Sequence, residues 1–68
     1  MNEDTLNMET RKFLKKVGIT SQHTIEQTIQ KALDEGRLQG NETLNLKMTL
    51  EISELDVQDC IEGQISLE

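Results

Sequence analysis

A histidine and a cysteine are the side chains of this sequence best suited to acid–base or nucleophilic chemistry. His23 and Cys60 are each the only residue of their type. Catalysis would need a nucleophile beside an oriented base, but these two residues fall far apart, on different predicted elements. Acidic neighbours of Cys60 also disfavour the reactive thiolate. We therefore predict no catalytic residue and no enzymatic activity, with His23 an exposed residue in the first turn of a second helix.

Three acids recur at every third position near the carboxyl end: Asp56, Asp59 and Glu62. Calcium loops instead present oxygens at alternate positions, with a glycine and a later bidentate glutamate. That spacing is missing, and neither His23 nor Cys60 has the neighbours of a metal set. We predict no metal site and no cofactor, and interpret these acids as a solvated face or a charged strand edge.

Four cations near the amino end fall together on one side of a helix: Arg11, Lys12, Lys15 and Lys16. A clustered basic face can bind nucleic acid, but a net charge of −6 opposes a polyanion. A helix-turn-helix with its turn at Gly18 is the alternative. It fits incompletely because Thr24 stands where an apolar residue is usual. We therefore disfavour nucleic acid and interpret the four cations as a solvated helical face that is also a candidate contact for a protein partner.

The charge balance changes abruptly after Arg37. Up to that residue six acids balance six bases, whereas beyond it seven acids face only Lys47, so the whole net charge lies in the last 31 residues. The apolar period changes at the same point, from helical to alternating. The polar segment from Arg37 to Thr43 contains Gly40 and reads as a connecting loop rather than a domain boundary.

The first half predicts two amphipathic helices, at about residues 4–17 and 22–35. Phe13, the only aromatic residue, is expected to anchor the core. Gly18 is suited to end the first helix, and Thr20 or Ser21 could cap the second. Gly36 should end the second helix.

The second half predicts a β-hairpin with strands at about residues 44–52 and 60–67. Apolar and polar residues alternate from Leu44 to Ile52, and again from Leu55 to Leu67 apart from Asp59 and Gly63. Ser53-Glu54 lacks the residues of a tight two-residue turn, and both strand registers pair apolar with apolar residues. We favour a longer loop ending near Asp59, which keeps that carboxylate off the apolar face.

Length and composition indicate one small domain, residues 1–68. A chain of this size buries only a modest core, and a single cysteine excludes an internal disulfide, which favours a reducing cytoplasm. The acidic start and the lack of a long apolar run predict neither a targeting segment nor a membrane span.

Several blocks of the sequence resemble a family of short bacterial proteins known only as a domain of unknown function. The resemblance covers nearly the whole chain and implies a small cytoplasmic protein with no assigned activity, cofactor or site. The blocks are Met1-Asn2-Glu3-Asp4, Arg11 to Lys15, Val17 to Gln22, Gly40, Met48-Thr49-Leu50, Leu55-Asp56 and Ile61 to Ile65.

These observations predict an α+β fold of ααββ order, with two helices packed on a C-terminal antiparallel hairpin. Its expected role is a small non-enzymatic protein-interaction module, and a nucleic-acid-binding regulator is the alternative. Self-association as a homodimer is also expected, because a small core gains from apolar surface buried between subunits. The candidate interaction surface comprises Arg11, Lys12, Lys15, Lys16, Glu51 and Glu62.

Overall fold

One long helix is followed by a two-stranded antiparallel hairpin, as the computed structural model of the chain describes it over all residues, Met1–Glu68. The α+β class is therefore confirmed. The chain divides into two compact units, Met1–Arg37 and Leu38–Glu68, and each is described by itself below. The elements are α1 (Glu3–Asp34), β1 (Thr43–Ile52), a 3-10 turn (Ser53–Leu55) and β2 (Val57–Ser66).

The prediction of two helices is wrong, because α1 runs without interruption for 32 residues. Gly18 lies inside the helix rather than at its end, and Thr20 and Ser21 continue it instead of capping a second one. A glycine costs an α-helix only about 1 kcal/mol relative to alanine, and the first half has no proline to stop the chain. Extending an existing helix adds one hydrogen bond for each residue fixed, and this gain outweighs the cost of one glycine. The packing of the helical segment on the hairpin stays a prediction.

The amino end of α1 is capped by Asn2, a role that the sequence reasoning missed. The Asn2 Oδ1 atom accepts hydrogen bonds from the backbone N–H groups of Asp4 and Thr5, at 2.9 and 3.1 Å. Asparagine is among the preferred N-cap residues because its short side chain reaches these unpaired donors. Glu3 and Asp4 add negative charge beside the positive end of the helix dipole.

The carboxyl end of α1 closes at Gly36, as predicted. Gly36 has a positive φ of 76°, which a residue without a Cβ adopts without strain. Its N–H donates to the Leu33 carbonyl at 3.1 Å, and the Arg37 N–H donates to the Ala32 carbonyl at 2.8 Å. This pair of bonds is a Schellman motif, and it satisfies two carbonyls that the helix leaves unpaired.

None of the large apolar side chains of α1 is fully buried. Ala32 is the only buried residue of the chain, whereas Phe13, expected to anchor a core, is 54% exposed. The expectation that Phe13 anchors a core is therefore wrong. The helix is not long and apolar enough to cross a membrane. Four further apolar residues along the helix are half-buried: Val17, Ile25, Ile29 and Leu33.

The two strands of the hairpin pair over their full length. The register runs from Thr43 opposite Ser66 to Ile52 opposite Val57. Beyond the ladder, the Leu67 N–H donates to the Glu42 carbonyl at 2.9 Å. The predicted bounds of the first strand are close to those of β1, but β2 begins three residues earlier than the predicted residue 60.

The loop between the strands is short and ends at Asp56, so the prediction of a longer loop ending near Asp59 is wrong. A 3-10 turn begins at Ser53, and the Asp56 N–H donates to the Ser53 carbonyl at 3.3 Å. Asp56 itself has a φ of 52°, in the left-handed region. Aspartate tolerates this conformation better than most residues. Asp56 therefore supplies the left-handed backbone conformation with which the chain reverses direction between the strands.

This register places Asp59 on the apolar face of the hairpin, directly opposite Leu50. Asp59 is exposed, so its carboxylate stays in contact with solvent and does not incur the cost of burying a charge. The side chains on this face are Leu44, Leu46, Met48, Leu50 and Ile52 from β1, and Val57, Asp59, Ile61 and Ile65 from β2.

Candidate functional site

The four cations predicted as an interaction surface lie together on α1, and we call them the basic surface: Arg11, Lys12, Lys15 and Lys16. All four are exposed. Arg11 and Lys15 are four residues apart, as are Lys12 and Lys16, so each pair shares a helix face and repels itself. None forms an ion pair, since the one ion pair of the chain joins Arg37 to Glu35 at 3.4 Å.

A shallow groove on the helix surface links the basic surface to an apolar side chain. It is lined by Asn7 and Met8 together with Arg11, Lys12 and Lys15. Met8 is 61% exposed, and methionine adapts its shape readily to a contacting surface. This part of α1 therefore offers positive charge and apolar contact side by side.

The two predicted acidic contacts, Glu51 and Glu62, share the polar face of the hairpin. Glu62 lies opposite Lys47, and Glu51 lies opposite Gln58. Because Glu51 is four positions from Lys47 along β1, the two carboxylates stand roughly 13 Å apart along the strand direction. On the same face, nearer the open end of the hairpin, Gln64 Nε2 donates to Asn45 Oδ1 at 3.0 Å. This bond links the two strands through their side chains.

The three acids that recur at every third position in the sequence do not converge in the hairpin. Asp56 lies in the turn, Asp59 on the apolar face and Glu62 on the polar face. No group of three histidine, cysteine, aspartate or glutamate side chains is placed to hold a metal ion. The three-residue spacing in the sequence therefore does not become a cluster in space, because alternate strand positions point to opposite faces.

His23 and Cys60 lie in different units. His23 is exposed, as predicted, but it stands in the interior of α1 rather than in the first turn of a second helix. Cys60 is exposed on the polar face of the hairpin, where its Sγ atom lies 3.7 Å from Thr49 Oγ1. Neither unit by itself pairs a nucleophile with a histidine or lysine base at hydrogen-bond distance.

The connector before the hairpin is organised by Glu42, which the sequence reasoning did not single out. The Glu42 carboxylate accepts hydrogen bonds from the backbone N–H groups of Gln39, at 2.8 Å to Oε2, and Gly40, at 2.9 Å to Oε1. The Gln39 bond has the largest effect on the Glu42 pKa and lowers it, whereas partial burial opposes the change. Gly40, with a φ of 100°, allows the tight turn. Its position two residues before a glutamate was the available signal.

The helix-turn-helix alternative is not realised. That motif needs a turn between two helices, and the backbone around Gly18 and Ile19 is continuous α-helix. The Gln22 and Gln30 side chains donate to Glu26 and Asp34 on the next helical turn, at 3.2 and 3.0 Å. The fold gives no specific support to a nucleic-acid-binding role.

Comparison with protein families gives one match. The model of a family described as "Family of unknown function (DUF6494)" matches residues 1–68. Neither a curated protein nor a solved structure matches the chain. The resemblance to a domain of unknown function is thereby confirmed over the full sequence, and the chain belongs to this family of unknown function.

Proposed function

We propose that this protein is a small non-enzymatic module that binds another protein, acting in the cytoplasm. The basic surface of α1 and the carboxylates Glu51 and Glu62 of the hairpin are its candidate contacts. The two surfaces lie on different units and differ in sign, so each selects its own kind of partner surface.

The exposure of the apolar side chains is the observation that carries this proposal. Eleven large hydrophobic side chains are exposed, and only the small Ala32 is buried. Single exposed apolar residues are ordinary on a protein surface, but contiguous ones mark sites of association. On the hairpin, Met48 and Ile61 are direct cross-strand partners on one face and are 42% and 63% exposed. A bound partner would cover them.

The charged groups beside these apolar residues favour selective binding over indiscriminate adhesion. The like charges of the basic surface repel one another by a few tenths of a kcal/mol per pair, and no carboxylate of the chain neutralises them. A partner carrying acidic groups would relieve that repulsion. For the hairpin, a partner with lysine or arginine residues would neutralise Glu51 and Glu62.

The chemistry of the side chains supports binding rather than catalysis. Most enzymes place a nucleophile or a general base among convergent polar groups in a cleft. Here His23 projects from an exposed helix, and the nearest polar neighbour of Cys60 is a hydroxyl group. We therefore propose that no bond is made or broken by this protein.

The test is capture of the tagged protein from its native cells, followed by mass spectrometry and by reconstitution with the purified partner. We expect one partner at fixed stoichiometry. The variant Glu51→Lys with Glu62→Lys should then lose binding if the acidic surface is used, and Lys12→Glu with Lys15→Glu if the basic surface is used.

A matched control for the acidic variant is Glu26→Lys with Asp34→Lys, which makes the same change in net charge on exposed positions of α1 outside both surfaces. This control should bind as the wild type does. Capture of the tagged protein alone, or equal loss in all three variants, would contradict the proposal.

A further inference from the structure

A short heptad pattern lies on the exposed half of α1. Leu6, Thr10, Phe13 and Val17 follow one another at spacings of four, three and four residues, which are the core positions of a coiled coil. Leu6 and Phe13 are 53% and 54% exposed, and Val17 is half-buried. We call these four residues the seam. On one side of the seam, Leu14 is 55% exposed and widens the apolar stripe.

Two charged residues flank the seam one heptad apart. Glu9 and Lys16 each precede a core residue directly and occupy the same heptad position, the one that faces the neighbouring helix across a coiled-coil interface. Both are exposed, and neither forms an ion pair within the chain. The seam thus carries one acid and one base at its opposite ends.

We infer that the seam binds a second copy of this chain, with the two α1 helices antiparallel. In this arrangement Leu6 lies opposite Val17 of the second copy, and Thr10 lies opposite Phe13. The symmetry is twofold, so every contact occurs twice. The inference concerns self-association and does not depend on the partner sought under the proposed function.

Charge decides the direction of the helices. In an antiparallel pair the same flank of both helices meets, which sets Glu9 of each copy beside Lys16 of the other. A parallel pair would bring the opposite flanks together, and Glu9 would face the apolar Leu14. Opposite charges are favourable at such positions, and a carboxylate against an apolar side chain is not.

The hairpin is the less suitable element for pairing with itself. Residues 38–68 carry seven acids and one lysine, so their net charge is −6. Residues 1–37 carry six acids and six bases, so their net charge is zero. Two hairpins side by side would double a charge of one sign. The helical unit carries no such penalty.

The seam is short, so the dimer should be weak. Leu6 to Val17 spans about 16 Å of helix, and stable coiled coils usually continue for three to four heptads. We expect a mass that rises with concentration from 7.8 kDa toward twice that value. Sedimentation equilibrium of the full chain from about 10 μM to about 1 mM would detect dissociation constants in that range.

Phe13→Glu tests whether the seam is the interface. It should leave a monomer at every concentration, with helical circular dichroism retained because Phe13 is exposed. Met8→Glu, on the opposite side of α1, is the control and should dimerise as the wild type does. A wild-type chain that stays monomeric, or a Phe13→Glu variant that still dimerises, would overturn the inference.

A charge exchange tests the direction. Glu9→Lys alone and Lys16→Glu alone should each weaken dimerisation by about fivefold, because each places like charges together twice. The double variant should return to within about twofold of the wild type. If the two changes instead add, Glu9 and Lys16 do not meet, and the antiparallel arrangement is wrong.

Discussion

The helical and hairpin units manage charge in opposite ways. Residues 1–37 balance their charges, with acids and bases at different points along α1, whereas residues 38–68 carry almost only acids. A balanced but segregated helix can match a reversed copy of itself, and a surface of one sign can match only something else. The difference shows that the distribution of charge along a unit, and not only its sum, limits which surfaces that unit can pair with.

The two units also differ in how they satisfy their backbones. Asn2 and Gly36 close both ends of α1, so the helix leaves few free polar groups. A two-stranded sheet has an unpaired edge on each strand, and such edges invite pairing with other chains. Acidic residues along β2, including Asp59 and Glu62, oppose that outcome. The negative charge of the hairpin therefore disfavours pairing of its edges with other strands, and it is also a candidate contact surface.

The largest effect expected in the helical unit comes from Gly18. Gly18→Pro should cost about 3 kcal/mol or more, because proline removes a hydrogen bond inside α1 and clashes with the preceding turn. Gly18→Ala should instead stabilise α1 by about 1 kcal/mol, since a Cβ at this position meets no atom within 4 Å. Thermal unfolding followed by helical circular dichroism measures both. A destabilising alanine would indicate a turn at Gly18.

The next effect tests the register of the hairpin. Asp59→Val puts a β-branched side chain opposite Leu50 on the apolar face and should stabilise the hairpin by about 0.2–1 kcal/mol. Gln58→Val, which faces Glu51 on the polar side, is the control and should gain less. Amide hydrogen exchange of β1 and β2 reports the difference. An equal or larger gain at Gln58 would mean that the strands pair one residue out of step.

Glu42 gives the connector before the hairpin a pH dependence. Its pKa is lowered in the folded chain from an ordinary 4.5, so the stabilisation is present above that value and is lost as the pH falls through the lower folded pKa. The Gln39 amide should lose protection from exchange in acid. Glu42→Gln should flatten this profile, and Glu51→Gln should leave it unchanged. An acid profile that survives Glu42→Gln would assign the effect to another group.

The smallest effect concerns ionic strength. Added salt screens the repulsion among the acids of the hairpin and should stabilise it by a few tenths of a kcal/mol. Lys47→Glu takes the charge of residues 38–68 from −6 to −8 and should steepen the dependence. Lys31→Glu, in the helical unit, is the control for amide exchange in the hairpin. Salt independence of the hairpin in both variants would contradict the comparison drawn between the units.

Sequence reasoning succeeded where a local pattern had a single structural solution. Strict alternation from Leu44 to Ile52 fixed β1, and Gly36 fixed the end of α1. It failed at Gly18, because a glycine permits a helix end without requiring one. It also failed at Asp56, since an aspartate in the left-handed conformation has no signature that distinguishes it from an extended one.

The candidate site was predictable only residue by residue. The helical period brought Arg11 and Lys15 together, as expected, and the strand period put Glu51 and Glu62 on one face. The hydrogen bonds of Glu42 depend on the exact path of a loop, for which neither period gives information. The exposure of Phe13 could not be predicted either, because hydrophobicity favours burial but does not supply the partner that buries it.

The hairpin pairs two strands that are neighbours in sequence. Its most distant pair, Thr43 with Ser66, has a sequence separation of 23 residues. Folding speed falls as contacts join residues more distant in the chain. A helix of this kind forms in about a microsecond, and a hairpin in roughly 1–10 μs. The helix can thus be complete before the first strand has been synthesised.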